Sequence, residues 1–401
     1  MNILFLTLAY ISDLSERGIY MDLMREFIRH GHSMHIVVPA ERRLHQSTAV
    51  IENNGAKILR VRTLNVQKAN LIEKGIGTLL LEGQYQYAIN KYWKNVKFDL
   101  ILYSTPPITF NKVIVNLRRK YDAKTYLLLK DIFPQNAVDL GMFSQRSLLY
   151  KFFRRKEVAL YRLSDYIGCM SQANVEYVLK HNTFIDPGKV EVCSNSIEIV
   201  DIGQIFENKE TLFRKYNIPA DKLHFIYGGN LGRPQGVDFL LQVLDANEKR
   251  NDSYFIIVGS GTEYNKIKLW FDTRKPNNAC LYSSFPKQDY DALVRACDIG
   301  LIFLDKRFTI PNYPSRLLSY LENRMPVLMA TDVNTDIGRI AEANGFGLWR
   351  ESGNVEIFMN MIDFMAVDRS RIVKMGEKGY SFLMENYTVG HSYEVIMKHF
   401  N

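Results

Sequence analysis

The sequence predicts an α/β protein made of two doubly wound, Rossmann-like domains, and three observations carry that prediction. Short apolar runs rich in β-branched residues alternate with amphipathic stretches along the whole chain, the rhythm of parallel sheets flanked by helices. That rhythm pauses in a polar connection at about residues 197–222 and then restarts. At 401 residues the chain also exceeds what one ordinary core holds, so two domains of roughly 150–200 residues are expected.

In the first half, "NILFLTLAY" reads as a strand, "YMDLMREFIRHG" as an amphipathic helix ending at Gly31, and "SMHIVVP" as a second strand. "KILRVR" follows, then a long helical stretch near 71–93 and the strand "DLILYS", closed by Pro106-Pro107. A helix over 110–121 leads to the strand "TYLLLKD"; "YIGCMS", the helix "ANVEYVLKH" and "KVEVCSN" complete the half. In the second half the same alternation runs through "LHFIYGGN", "VDFLLQVLDAN", "YFIIVGSG", "NKIKLWF", "CLYSS", "YDALVRAC", "IGLIFL", "YPSRLLSYL", "PVLMA", "DIGRIAEAN" and "FGLWR". From Asn354 onward the pattern is helical only, ending in "SYEVIMKHF". Such a pair of domains is expected to hold its ligand at the carboxyl ends of the strands, in a cleft between the sheets.

Composition narrows the functional classes. The chain is 47% apolar and 23% charged, as a soluble globular protein is. Its net charge of +8 is unevenly placed: residues 1–196 hold 27 Lys/Arg against 17 Asp/Glu, and residues 197–401 hold 24 against 26. The basic half points to a polyanionic partner, either nucleic acid or an anionic membrane. Cys169, Cys193, Cys280 and Cys297 show neither CxxC nor metal-site spacing and read as small buried residues in a reducing compartment. "MNILFLTLAY" has no basic n-region and is expected to be a strand rather than a leader. No run approaches the ~18 apolar residues of a spanning helix, so a cytoplasmic protein, free or peripheral to a membrane, is expected.

Three strand-to-helix turns in the second half carry the chemistry. "YGGNLGRPQGVDFLL" (227–241) places Gly229, Asn230 and Gly232 in a loop with Arg233, where backbone can approach a ligand and a cation can sit beside a diphosphate. "IIVGSGTEYNKIK" repeats the design with Gly259 and Gly261 but has neither GxGxxG nor GxxxxGK[ST] spacing, which argues against a dinucleotide fold and a P-loop NTPase. "YPSRLLSYLENRMPVL" (313–328) opens a helix with Pro314 and a potential cap at Ser315, followed by Arg316 and Leu317. Each turn alone reads equally well as a tight connection. Together, at strand carboxyl ends of one domain, they fit a nucleotide diphosphate.

The order of "GGNLGRPQGVDFLL", "VGSGTEYNKIK", "FPKQDYDALVRACDIGLIFL" and "YPSRLLSYLENRMPVL" resembles the donor domain of family 4 glycosyltransferases of the GT-B fold, and "GIYMDLMREFIRHGHSMHIVVP", "KDIFPQNAVDLGM" and "KVEVCSNSIE" resemble that family's N-terminal landmarks. "DIFPQNAVDLGM" with "PSRLL" is similar to the bacterial branch that transfers N-acetyl-L-fucosamine in O-antigen and capsule assembly. The resemblance implies an acceptor domain over 1–197, a donor domain over 198–385 and a terminal helix, 386–401, packing toward the first domain. It implies a UDP-sugar donor, retention of configuration and no metal. Arg233 falls at the family's first basic donor contact, and Gln235 where many relatives have lysine, which leaves Arg316 to supply the second. Two glutamates usual in the family are replaced by Pro311 and Ser319; Ser319 retains a hydroxyl for the ribose, and Glu322 lies one turn on. On the acceptor side the glycine-rich first loop is reduced to "SERGIY", with Glu16 and Arg17 as acceptor contacts and Gly18 toward the donor. Asp131, beside Lys130, stands where many relatives place a histidine, and either orients or deprotonates an acceptor hydroxyl or caps the next turn.

"FSQRSLLYKFFRRKEVALYRL" (143–163) sets Leu149, Phe152, Phe153, Leu160 and Leu163 at helical spacing, with Lys151, Arg154, Arg155 and Arg162 on another face. That pattern suits a helix lying on an anionic bilayer as well as a core-facing helix with a solvated basic face. A polyprenyl-diphosphate-linked saccharide as acceptor would require the bilayer. Two other readings are a UDP-sugar 2-epimerase, which calls for a cluster of carboxylates and histidines, and a non-catalytic nucleotide-sugar or polyanion binder, which calls for aromatics interleaved with cations. Phe152-Phe153 alone gives the latter little support, and no nucleic-acid partner is expected.

Overall fold

The computed structural model describes residues 1–66, 71–200 and 209–400. The chain divides into two compact units, Met1–Glu198 with Thr388–Asn401, and Ile199–Tyr387.

The first unit runs β1 (Asn2–Leu6), α1 (Ile19–Arg29), β2 (Ser33–Glu41), β3 (Ala49–Asn53), β4 (Ala56–Thr63), α2 (Leu71–Tyr92), β5 (Leu100–Ser104), α3 (Asn111–Tyr121), β6 (Lys124–Leu129), α4 (Gln135–Asp139), α5 (Leu148–Leu163), β7 (Tyr166–Cys169), α6 (Gln172–His181) and β8 (Val190–Val192). The strands form one sheet in the order β3-β4-β2-β1-β5-β6-β7-β8. All neighbours are parallel except β3 and β4. Its central strands are apolar on both faces: β5 is buried along its whole length, as are Ile3–Leu6 of β1. This is what a sheet covered by helices on both sides demands. β3 is the one strand the apolar rhythm does not announce. Its signal is the "NNG" at 53–55, where Asn54 and Gly55 take φ of 47° and 83° and turn the chain into a hairpin.

The second unit runs α7 (Lys209–Lys215), β9 (Leu223–Gly228), α8 (Val237–Asn247), β10 (Ser253–Val258), α9 (Tyr264–Arg274), β11 (Ala279–Tyr282), α10 (Lys287–Ala296), β12 (Ile299–Phe303), α11 (Arg316–Glu322), β13 (Val327–Thr331), α12 (Ile337–Ala343), β14 (Gly347–Glu351), α13 (Val355–Ala366) and α14 (Arg369–Asn386). Its six strands are all parallel, in the order β11-β10-β9-β12-β13-β14. Of the connection expected over 197–222, residues 201–208 lie outside the described part, and 209–215 form α7.

The chain ends in α15 (Val389–Met397), which belongs to the first unit and packs on α1. Val389 N–H donates to the Ile197 carbonyl. The Tyr393 ring stacks on His30 at 3.9 Å, and its hydroxyl meets His32 Nε2 at 2.9 Å. Glu191 at the end of the sheet accepts from Tyr126 Oη at 2.8 Å and pairs with Lys398 and His399 at 2.6 and 2.8 Å. Lys398 and His399 thus tie the terminal segment to the last strand of the sheet through one carboxylate, which Tyr126 of β6 also holds. Among the described residues no helix is long and apolar enough to cross a membrane.

Candidate active site

In the second unit, β9 delivers the chain to a glycine loop that is tightly built. Gly229 has φ +128°, a conformation L side chains rarely adopt. Gly259 of the second loop lies so close that a Cβ there would sit 1.8 Å from the Gly229 carbonyl oxygen. A Cβ at Gly261 would meet the Leu231 backbone at 2.4 Å, and Leu231 N–H donates to the Ser260 carbonyl. Gly259 and Gly261, expected to face a ligand, are therefore needed for the second loop to press against the first. Gly232 is buried, with the Asn230 amide packed over it. Gly229 and Asn230 remain exposed.

The opening of α11 differs from expectation. Ser315 has helical dihedrals (φ −65°, ψ −15°) and its side chain caps nothing, because a capping hydroxyl needs extended backbone to reach back over the first turn. Leu317 is fully buried and its N–H donates to the Pro314 carbonyl. Pro314 and Leu317 thus shape the turn, and Ser315 is exposed. Ser319 is partly buried on α11, and Glu322 is buried. Arg316 turns back toward the first glycine loop. Its Nη2 donates to Gln235 Oε1 at 2.6 Å, and its guanidinium lies 4.2 Å from the centre of the Tyr227 ring. Nη1 is buried without a hydrogen-bond partner. Tyr227 Oη donates to the Asn230 carbonyl at 2.8 Å and lies 3.2 Å from Gln235 Oε1. Arg233 is 60% exposed, with Nε 3.6 Å from Glu263. Arg316, Arg233 and the Gly229-Asn230 backbone therefore share one end of this sheet, an arrangement suited to an anion. Asp289 of the "DYD" stretch is tied to Lys215 and Tyr216, which binds α10 to α7.

In the first unit, Asp131 follows β6. Both carboxylate oxygens accept from Asn136 Nδ2 at 2.8 Å, and Thr105 Oγ1 bridges the Asp131 carbonyl and N–H at 3.1 and 3.2 Å. Burial pushes its pKa up to about 6, against which the Asn136 hydrogen bonds work. A carboxyl tuned there can exchange a proton near neutral pH. Lys130 does not join it. Its Nζ donates to the Cys193 carbonyl at 3.1 Å, among thiols at the ends of β7 and β8, and burial lowers its pKa. Arg17 likewise is turned to structure: Nη2 donates to the Glu198 carbonyl at 3.2 Å. Gly18 N–H donates to Asp22, which also takes Arg25 and the Glu198 N–H. Glu16 is exposed and accepts from Ser12 Oγ at 3.0 Å.

The expected membrane helix, α5, is divided. Phe153 packs on Phe133, and Leu160 is core. Arg154 is held by Glu157 at 2.7 Å and Asn182 at 2.6 Å, because the buried Glu157 carboxylate requires a counter-charge; it is not available to a surface. Leu148 (83% exposed), Leu149, Phe152 and, just before the helix, Met142 do project outward, among exposed Arg146, Lys151 and Arg155. α2, α3 and α5 pack side by side, and α2 exposes Ile76, Leu79, Leu80 and Tyr87.

Residues that sequence alone does not mark as partners are Tyr227, Gln235 as an acceptor for Arg316, Asn136 and Thr105. Asn136 carries a local signal, five residues after Asp131 within "DIFPQN"; Tyr227 and Gln235 act across 81 and more residues of chain and carry none. No three metal-ligating side chains converge among the described residues.

Residues 208–382 match the family described as group 1 glycosyl transferases. Over 324 residues the chain is 22% identical to the probable glycosyltransferase WbjE of Pseudomonas aeruginosa, covering 80% of this chain and 78% of that protein. It is 25% identical over 138 residues to the putative colanic acid biosynthesis glycosyl transferase WcaI of Escherichia coli K12, covering 33% and 32%. The Anabaena protein HepE, solved with UDP, superposes with a TM-score of 0.69 at 15% identity, covering 100% of this chain and 99% of that one. The two parallel-sheet units thus have a GT-B fold, and the chain is an enzyme of the glycosyltransferase class.

Proposed function

We propose that this enzyme transfers a sugar, N-acetyl-L-fucosamine or a related N-acetylated deoxyhexosamine, from its UDP-sugar to a polyprenyl-diphosphate-linked saccharide, with retention, in capsular or surface polysaccharide assembly. The observation that carries the reading is Arg316, fixed beside the Gly229 loop with Nη1 buried and unpartnered. A buried guanidinium edge of that kind is costly unless an anion completes it. HepE is solved with UDP, which supports the donor, and WcaI is named for colanic acid biosynthesis, which supports the pathway class. The sugar itself rests on the resemblance of "DIFPQNAVDLGM" and "PSRLL".

In this reading Arg316 and Arg233 meet the charge that grows on the leaving diphosphate, the main catalytic contribution, and no metal is called on for it. An acceptor hydroxyl oxygen bonds to the anomeric carbon on the face from which the diphosphate oxygen departs. Asp131 orients that hydroxyl or accepts its proton. Met142, Leu148, Leu149 and Phe152, rimmed by Arg146, Lys151 and Arg155, rest the first unit on the cytoplasmic face of an anionic membrane, where the lipid-linked acceptor resides. An epimerase would need a carboxylate–histidine cluster; Asp131 is joined by Asn136 and Thr105 instead.

Four outcomes are expected. Purified enzyme given UDP-sugars releases UDP only when membrane extract carrying undecaprenyl-diphosphate-linked saccharide is added; acceptor-independent release with an epimerised sugar would refute the transfer. The activity profile shows an acid limb near pH 6 that Asp131→Asn removes together with most of the rate. In stability, the Asp131 carboxyl is protonated in both states below about pH 4. From there to about pH 6 only the unfolded chain ionises, so the native state loses stability as pH rises; chemical denaturation of the Asn variant should therefore lack this loss, and a profile identical to wild type would contradict the assignment. Leu148→Glu combined with Phe152→Glu lowers cosedimentation with phosphatidylglycerol vesicles several-fold while UDP binding is retained. Undiminished cosedimentation would remove this surface from the membrane reading.

A further inference from the structure

We infer that Gln235 is a positioning residue for Arg316, an inference that rests on the UDP-sugar reading and extends it. Gln235 sits in the first glycine loop, 81 residues before Arg316, and its Oε1 receives Arg316 Nη2 at 2.6 Å and faces Tyr227 Oη at 3.2 Å. The Arg316 N–H can only donate, which assigns the carbonyl oxygen to that position, since an amide N–H₂ there would oppose it. The third constraint is the Tyr227 ring, 4.2 Å beneath the guanidinium, a cation–π contact. The Tyr227 hydroxyl is in turn anchored on the Asn230 carbonyl at 2.8 Å. One edge of Arg316 is thus held by the loop while Nη1 stays buried without a partner.

The chemistry of residue 235 follows from this geometry. A carboxylate in its place would hold the guanidinium equally well but cancel its charge and repel a diphosphate. A lysine would bring a second cation to hydrogen-bond distance and drive Arg316 away. A neutral acceptor orients the cation without neutralising it, so Gln235 sets how strongly the loop binds a phosphate without touching the phosphate. Gly229 belongs to the same device: a Cβ built there would lie 3.6 Å from Arg316 Nη2, so the guanidinium lies directly over the exposed loop backbone.

The test is a double-mutant cycle read by calorimetric titration of the full chain with UDP. Arg316→Ala is expected to weaken UDP binding by about tenfold or more, and Gln235→Ala by about three- to tenfold. The pair should bind no more weakly than Arg316→Ala alone, because Gln235 acts only through Arg316. Gln235→Glu, which is isosteric and keeps the acceptor, should bind more weakly than Gln235→Ala; it also carries the test if the alanine variant loses its loop. Additive losses in the pair, or Gln235 variants with wild-type affinity beside a weakened Arg316→Ala, would overturn the positioning role and leave the UDP-sugar reading standing. A wild-type protein that does not bind UDP would overturn both.

Discussion

The contact between Arg316 and Gln235 is the constraint on which the glycine-loop end of the second unit, and the donor site proposed there, depends. It joins the start of α11 to the loop after β9, two strand carboxyl ends that lie side by side because β9 pairs with β12. The sheet order brings the two loops together, and the side chains decide what they do there. A guanidinium loosely tethered at the rim would be solvated and weak. Held by Gln235 against Tyr227, with one nitrogen shielded and unpartnered, it is preorganised, and preorganised charge costs no rearrangement when a phosphate arrives.

The glycines around it serve that same end in two ways. Gly229 gives an exposed backbone in a conformation closed to other residues, while Gly259 and Gly261 are small so that the second loop can support the first. In the first unit, cations are used differently. Arg17, Arg25 and Arg29 converge on Glu198, and Arg154 on Glu157. These cations therefore pin the unit's own loops and helices, while Arg146, Lys151 and Arg155 stay exposed around the start of α5.

The fold is legible because it follows from one-dimensional pattern: strands apolar on both faces, helices with one apolar stripe, and a polar break between two repeats of that rhythm. The hairpin strand β3 escapes that pattern because its signal is the turn at "NNG" and not an apolar run. That Gly229, Arg233 and Arg316 share one end of the second sheet follows from their places after strand ends. The roles of Ser315, Leu317, Lys130, Arg17 and Arg154 differ from expectation, and for three of them the reason is common. Lys130, Arg17 and Arg154 each meet a partner distant along the chain, at Cys193, Glu198 and Asn182, whereas the Leu317 N–H is taken by the Pro314 carbonyl within its own turn. Ser315 simply falls in helical rather than extended dihedrals. Spacing along a sequence reports which face a residue occupies, and not which polar group will claim it.

The most direct measurement is a crystal structure of the enzyme with UDP. Arg316 Nη1 should lie about 3 Å from a diphosphate oxygen, with Nη2 still on Gln235 and the phosphates against the Gly229-Asn230 backbone. UDP bound with its phosphates away from that loop, or Arg316 swung off Gln235 into solvent, would contradict the proposed donor site.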